Sequence, residues 1–365
     1  MTMRDGLVDQ STKFKKRIAS VDLSPYKVVE KGQLVVGFPI DEAVLALQTR
    51  YDKALVSPAY AIWDLDDSKV YPRYLELFLR SPRAIEFYKA RLQGSTARRR
   101  SLPAGVLETM VISLPALAEQ QRIARVLDGA DGLRDFSDQT SHRLEELEES
   151  IFVHAFGDLV ANERGWPVVR VSDFVARFSS GKSIVGLDES ADATRPRVLK
   201  ISAVTSGRFR EFESKPLPAG YEPPASHLVS RGDLLFSRAN TRELVGATAY
   251  VDVETRDLAL PDKLWRFEWP AIPRTLPVFV WKMFSRPEVR AAISDVATGS
   301  GGSMKNVSQS SVLGLRFALP ALEYQQEFVD KIAHADRSRS LITARKSILD
   351  EFFASLQHRA FEGRL

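Results

Sequence analysis

The 365-residue chain contains no cysteine, which excludes disulfides, thiolate zinc centres and iron–sulfur ligation at the outset. Its five histidines are scattered, with no pair four residues apart beside carboxylates, so no helical histidine metal site is expected. No apolar run reaches the roughly 18 to 20 residues that cross a bilayer, and the opening "MTMRDGLVDQSTKFKK" lacks the apolar centre of a signal peptide. A cytoplasmic chain without membrane attachment is expected. Catalytic signatures are missing too: no GxGxxG, Asn-Pro-Pro-aromatic, HExxH or GxSxG pattern occurs. "SSGKSIVG" from Ser179 resembles the end of a nucleotide-binding loop, but Ala176 stands where the first glycine of GxxxxGK[ST] belongs. "LDES" and "DLDD" offer carboxylates without the lysine-bearing strand of a nuclease. No catalytic or metal-binding residue is assigned.

What the chain does have is a repeat. "LPALAEQQRIARVLDGAD" from Leu114 returns as "LPALEYQQEFVDKIAHAD" from Leu319, an offset of 205. It runs without a gap from Pro82/Pro287 to Phe156/Phe361 and takes in Gly94/Gly299, Gln120/Gln325 and Asp131/Asp336. Upstream, "VEKGQLVV" from Val29 matches "VSRGDLLF" from Val229 at an offset of 200. Two copies of about 130 residues are too few and too long for a solenoid of short stacked units, and suit an internal pseudo-twofold.

The net charge of +4 is unevenly spread. Lys plus Arg against Asp plus Glu is 18 to 13 over residues 1–113, 5 to 11 over 114–164, 21 to 16 over 165–318 and 7 to 7 over 319–365. Two basic blocks favour a polyanion such as nucleic acid, although charge alone fits ordinary surface scatter equally well. Each block mixes short β-type runs ("LVVGF" from Leu34, "ALVSPAYAIWDL" from Ala54, "HLVSRGDLLFS" from His227, "LWRFEW" from Leu264) with one helix ("YPRYLELFLRSP" from Tyr71, "LPVFVWKMFSRP" from Leu276). This reads as α/β with the strands in one twisted sheet.

After Pro115 and Pro320 both copies read as long helices, with Glu119 or Glu323 in the first turn where the helix dipole favours negative charge. A heptad frame puts Ile123, Val126, Leu133, Leu144, Leu147 and Ile151 on one seam of the first helix, and Phe328, Ile342, Leu349, Phe352 and Leu356 on the matching seam of the second. Neither stripe can be buried alone, so the two helices are expected to pair antiparallel as a coiled coil.

Just before each Leu-Pro lies a glycine loop, "QGSTARRRS" from Gln93 and "TGSGGSMKN" from Thr298. Ser95 and Ser300 with their glycines permit close backbone approach to another molecule, while Arg98, Arg99, Arg100, Lys305 and Asn306 supply cations and donors for a phosphate backbone. A solvated turn is the competing reading of either loop alone. Lys200, Arg208, Arg210, Arg238, Asn240 and Arg242 are candidate base-edge readers, because Arg and Lys match guanine and Asn matches adenine. Lys31 and Lys182, beside turn glycines in "VEKGQLVV" and "SSGKSIVG", complete the DNA-binding set.

The doubled "LPxLxxQQ", the helix ends "LEESIFVHAFGDL" and "FFASLQHRAFEGRL", the "GS" loop upstream, and "GWPVVRVSDF" with "SGKS" opening the second block resemble the specificity subunits of type I restriction–modification systems. The resemblance covers nearly the whole chain. It implies an α+β architecture of two α/β target-recognition domains, each reading half of a split site in double-stranded DNA, separated by the paired helices. It further implies docking of two methyltransferase subunits and of a translocating restriction endonuclease, with S-adenosylmethionine, ATP and Mg belonging to those partners and no cofactor in this chain. The expected spans are 1–113 and 161–318 for the recognition domains, and 114–160 and 319–365 for the spacer helices. One departure stands out: the second block opens at Trp166, whose counterpart at an offset of 200 would precede Met1, so either the gene start is misplaced or the first domain is shortened. Two other readings stay open on the residues alone, a coiled-coil tether that does not touch DNA and a DNA-modifying enzyme with a cryptic centre.

Overall fold

The computed structural model describes residues 1, 6–9, 22–92, 102–103, 105–184, 195–299 and 304–365, which divide into two compact units, 1–141 with 340–365 and 142–339. Five short strands open the first: Lys27–Glu30 (β1), Leu34–Val36 (β2), Leu45–Leu47 (β3), Lys53–Val56 (β4) and Ala61–Trp63 (β5). β1 and β4 form an antiparallel ribbon, and β2 lies antiparallel between β3 and β5. β2 and β3 are buried on both faces, which is why they read as unbroken apolar runs. Helices Pro72–Leu79 (α1) and Pro82–Lys89 (α2) each begin on proline, whose missing N–H costs nothing in a first turn. The 40-residue helix Leu117–Phe156 (α3) follows.

The chain continues through Val168–Arg170 (β6), Arg177–Ser180 (β7), Arg197–Leu199 (β8), Ser202–Thr205 (α4), Ser214–Pro216 (β9), Leu234–Ser237 (β10), Ala239–Asn240 (β11), Thr248–Tyr250 (β12), Leu258–Ala259 (β13) and Leu264–Glu268 (β14). Then come Pro277–Phe284 (α5), Pro287–Asp295 (α6), Lys305–Asn306 (β15), Gln309–Gly314 (α7), Arg316–Ala318 (β16) and a second 40-residue helix, Leu322–Phe361 (α8). The single twisted sheet expected for each block does not form. In the second unit the described strands fall into four sheets, β12-β10-β14-β7, β13-β8-β9, β16-β6 and β11-β15, antiparallel except where β13 meets β8. Strands of two to five residues, broken by turns, cannot extend one continuous ladder.

Each long helix is shared between the units, α3 dividing after Ser141 and α8 after Arg339, and within each unit the two portions run antiparallel. In the first, the Arg134 guanidinium donates to Asp350 (2.6 Å) and Lys346 pairs with Asp138. The Phe361 ring meets Tyr74 and Phe78 edge-on, at centroid separations of 5.6 and 5.1 Å. In the second, Arg339 approaches Glu148 (2.7 Å), and the rings of Phe152 and Phe156 meet Phe328 at 5.4 and 5.3 Å. Phe156 also packs on Phe279 (5.1 Å), so the last aromatic residue of each repeat copy sits against the same position of the proline-led helix, Phe361 on Tyr74 and Phe156 on Phe279.

The heptad frame is only half correct. Ile123 and Phe328 are buried, and Leu144, Ile151, Ile342, Leu349 and Leu356 are half-buried, but Val126, Leu133, Leu147 and Phe352 point to solvent. Burial follows Gln120, Ala124, Leu127, Glu148 and Phe152 instead. The line is therefore rotated by one position at every second seam residue, and polar side chains occupy part of it. No helix among the described residues is long and apolar enough to cross a membrane.

Candidate nucleic-acid interface

The repeated "LPxLxxQQ" has a physical cause. Gln120 is 0 % exposed, and its side-chain carbonyl accepts the Tyr71 N–H (2.8 Å) while its amide nitrogen donates to the carbonyls of Lys69 (2.9 Å) and Pro115 (2.8 Å). Gln325, also 0 % exposed, accepts from Leu276 N–H (3.0 Å) and donates to Arg274 (3.3 Å) and Pro320 (2.8 Å). All three partners are displaced by 205, so both units reproduce one joint. The joint ties the N-cap residue of the proline-led helix, Tyr71 or Leu276, to the Leu-Pro turn and the first turn of the long helix. The upstream match is equally literal: Gly32 and Gly232 sit at φ 93° and 96°, the left-handed region that favours glycine, and the side chains of Gln33 and Asp233 each accept the N–H three residues back, from Glu30 (2.7 Å) and Ser230 (2.9 Å). Lys31 lies on the first of these turns and is exposed.

In the second unit four of the candidate DNA-binding residues converge on the two-residue ladder β11-β15, where Asn240 stands opposite Lys305 and Ala239 opposite Asn306. Arg238 enters this ladder with its N–H on Lys263 (3.1 Å) and its carbonyl on Val307 N–H (3.0 Å). Its guanidinium donates to the Asp262 carbonyl (2.8 Å). Asn240 accepts from Thr241 N–H (2.9 Å), and the Lys305 ammonium donates to Gly299 (3.1 Å). Arg242, two residues beyond Asn240, is exposed. Cations and an amide thus share one edge at the foot of the glycine loop, chemistry suited to phosphates and base edges.

Among the described residues of the glycine loops, Gly299 does a different job from the one read in the sequence. Gly299 has φ 143°, and a Cβ there would lie 2.6 Å from the Met304 carbonyl, so the close approach is to the chain itself. At Gly181 a Cβ would lie 1.6 Å from the Leu260 carbonyl, where two backbones cross beside the exposed Lys182. Lys200 and Arg210 are exposed on the β8–β9 segment, apart from the β11-β15 ladder in sequence and sheet, with Lys200 3.8 Å from Glu213. Arg208 is not free to read a base: its guanidinium lies between Glu148 (3.3 Å) and Asp336 (3.7 Å) and over the Trp281 ring. Ser95, Arg98, Arg99, Arg100 and Ser300 lie outside the described residues.

Sequence reasoning missed the ion cluster around Glu148, which is 5 % exposed and holds Lys282 (2.6 Å) and Arg339 as well as Arg208. Burial works to raise the Glu148 carboxyl, but the positive charges of Lys282 and Arg339 outweigh it and hold the group below the ordinary glutamate range. The Lys282 ammonium is pushed down by its own burial, against the pull of Glu148.

No family model matches the chain. Among curated proteins it is 27% identical over 169 residues to the type I restriction enzyme EcoEI specificity subunit of Escherichia coli, covering 46% of this chain and 28% of that protein. It is 24% identical over 271 residues to the EcoKI specificity subunit of E. coli strain K12, covering 70% and 57%. The S subunit of a type I restriction–modification system from M. genitalium superposes with a TM-score of 0.53 at 12% identity, over 91% of this chain and 83% of that one. The chain has the fold of a type I specificity subunit. It spans less than two thirds of the length of either curated relative. With the fold fixed, the doubled glutamine joint is the detail that both repeat copies share to the atom.

Proposed function

We propose that the chain is the non-catalytic DNA-recognition subunit of a type I restriction–modification complex acting in the cytoplasm, and that it reads a bipartite site in double-stranded DNA, one half with each unit. The observation that carries this reading is that a single anchored segment occurs twice, once in each unit, with the same three backbone bonds at Gln120 and Gln325. A chain that repeats its own mount has two heads to hold. The β11-β15 edge with Arg238, Asn240, Arg242 and Lys305 supplies the reading chemistry of the second head.

Protein partners are supported by a second duplication. Phe136 and Leu341 occupy equivalent positions on the two long helices and are 57 % and 73 % exposed, and Leu147 and Phe352 form another exposed equivalent pair. Ile348, 66 % exposed, lies on the same stripe of α8 as Leu341 and Phe352. Apolar side chains at matched outward positions suit two copies of one partner, the methyltransferase subunit, with the restriction subunit joining that assembly. S-adenosylmethionine, ATP and Mg then belong to those partners, since no methyltransferase, ATPase or nuclease signature is present in this chain.

Methylome sequencing of cells expressing the chain with its cognate methyltransferase tests the reading. The expected outcome is one motif with two specified halves around an unspecified gap, and exchange of residues 165–318 for those of a relative should change one half only. A methylome without a new motif, or methyl transfer by the purified chain alone, would overturn it.

A further inference from the structure

We propose that Gln120 and Gln325 are positioning residues that set which gap between the two half-sites is accepted, an inference that rests on the recognition reading above. Each glutamine uses its one side-chain carbonyl and both amide hydrogens on backbone groups from two other segments, the stretch entering the proline-led helix and the Leu-Pro turn. Both are fully buried. An ordinary helix cap satisfies N–H groups of its own first turn. Here the amide instead donates to carbonyls that precede the long helix, and accepts the N–H of the residue that caps a different helix.

Apolar packing holds the same elements together around the joint, with Tyr74, Phe78, Ile123 and Leu127 in one cluster of the first unit and Phe279, Val280, Phe328 and Ile332 in one cluster of the second. Such packing is non-directional and leaves small rotations cheap. Three hydrogen bonds at fixed angles do not. The glutamine therefore contributes orientation of the recognition elements on the long helix, over and above cohesion. No other side chain repeats the pattern at this reach: asparagine carries the same amide one methylene shorter, glutamate keeps the acceptor and loses both donors, and methionine fills the volume with neither.

The test uses the full chain assembled with its methyltransferase subunits. Gln120→Glu and Gln120→Met, and the same pair at Gln325, are compared with wild type for methylation rate on a duplex carrying the motif and on duplexes with the gap longer or shorter by one base pair. A variant that is merely less folded slows all three duplexes alike and leaves the ratio between correct and altered gaps unchanged. The expected result is that this ratio falls by about tenfold in the methionine variants, equivalent to ~1.4 kcal/mol, with a smaller fall for glutamate and unchanged half-site bases. An unchanged ratio in both variants would overturn the inference, as would a methylome in which the half-site bases themselves change. A wild-type complex that prefers no motif at all would overturn the recognition reading instead.

Discussion

Glu148 is one carboxylate facing three cations, Lys282, Arg208 and Arg339, in a place where water scarcely reaches. Removing it strips Lys282 of its ion-pair carboxylate and leaves Arg208 and Arg339 to share Asp336, and breaking a buried pair in this way typically costs ~3–5 kcal/mol. Glu148→Ala should therefore lower the urea midpoint of the second unit's unfolding strongly. The acid limb follows from the sign of its shift. Its folded value lies below the unfolded one, so the stabilisation is complete above the ordinary glutamate range and is lost as pH falls through the folded value. Urea titrations at neutral and acidic pH should show a drop in wild type that is smaller in Glu148→Gln; equal drops would remove this group from the acid response. Arg208 belongs to the same cluster, which is why a residue that looked like a base reader in the sequence turns out to be an internal counter-charge.

At the scale of elements, the legible parts were those whose signal is local. Proline at N1 with a largely apolar run behind it gave α1 and α5, and unbroken apolar triplets gave β2 and β10. The seam of the long helices was misread because burial there is not written in hydrophobicity. Gln120, Ser137, Glu148 and Gln325 are buried and polar, with Gln120, Glu148 and Gln325 bonded or paired through residues distant in sequence, while Phe136 and Leu147 are apolar and exposed. Only the fold distinguishes a stripe that packs inside the chain from one left for another molecule. Those outward residues carry the next prediction. Phe136→Asp with Leu341→Asp should leave the unfolding midpoint nearly unchanged, within about 0.5 kcal/mol for surface positions. It should weaken association with the proposed methyltransferase partner by ~2 kcal/mol or more if the pair lies at the centre of that contact. Calorimetric titration of variant and wild type with the purified partner decides it, and unchanged affinity would place the docking surface elsewhere.

For the whole molecule, the repeat was visible in the sequence, as two runs at offsets of 205 and 200, but its use of the long helices was not. Each of α3 and α8 passes from one unit into the other, and the contacts within each unit show where a change in helix length can be absorbed. Arg134–Asp350 and Asp138–Lys346 belong to the first unit, and Glu148–Arg339 and Phe156–Phe328 to the second. Inserting seven residues between Gln139 and Thr140, and seven more between Ala344 and Arg345, leaves all four pairs on their own sides of the insertions. Seven residues return each helix to nearly the same face, so the buried line continues through the insertion. The helical path joining the units grows by about 10 Å at about 1.5 Å per residue. If that path sets the separation of the half-sites, the gap should lengthen by up to about three base pairs at about 3.4 Å each while both specified halves stay as they were. The same two insertions placed after Leu133 and Ser338 would pull Arg134 from Asp350, and should lose activity without a new spacing. Methylome sequencing of both variants separates the outcomes, and an active complex with the original gap would show that the long helices do not measure the site.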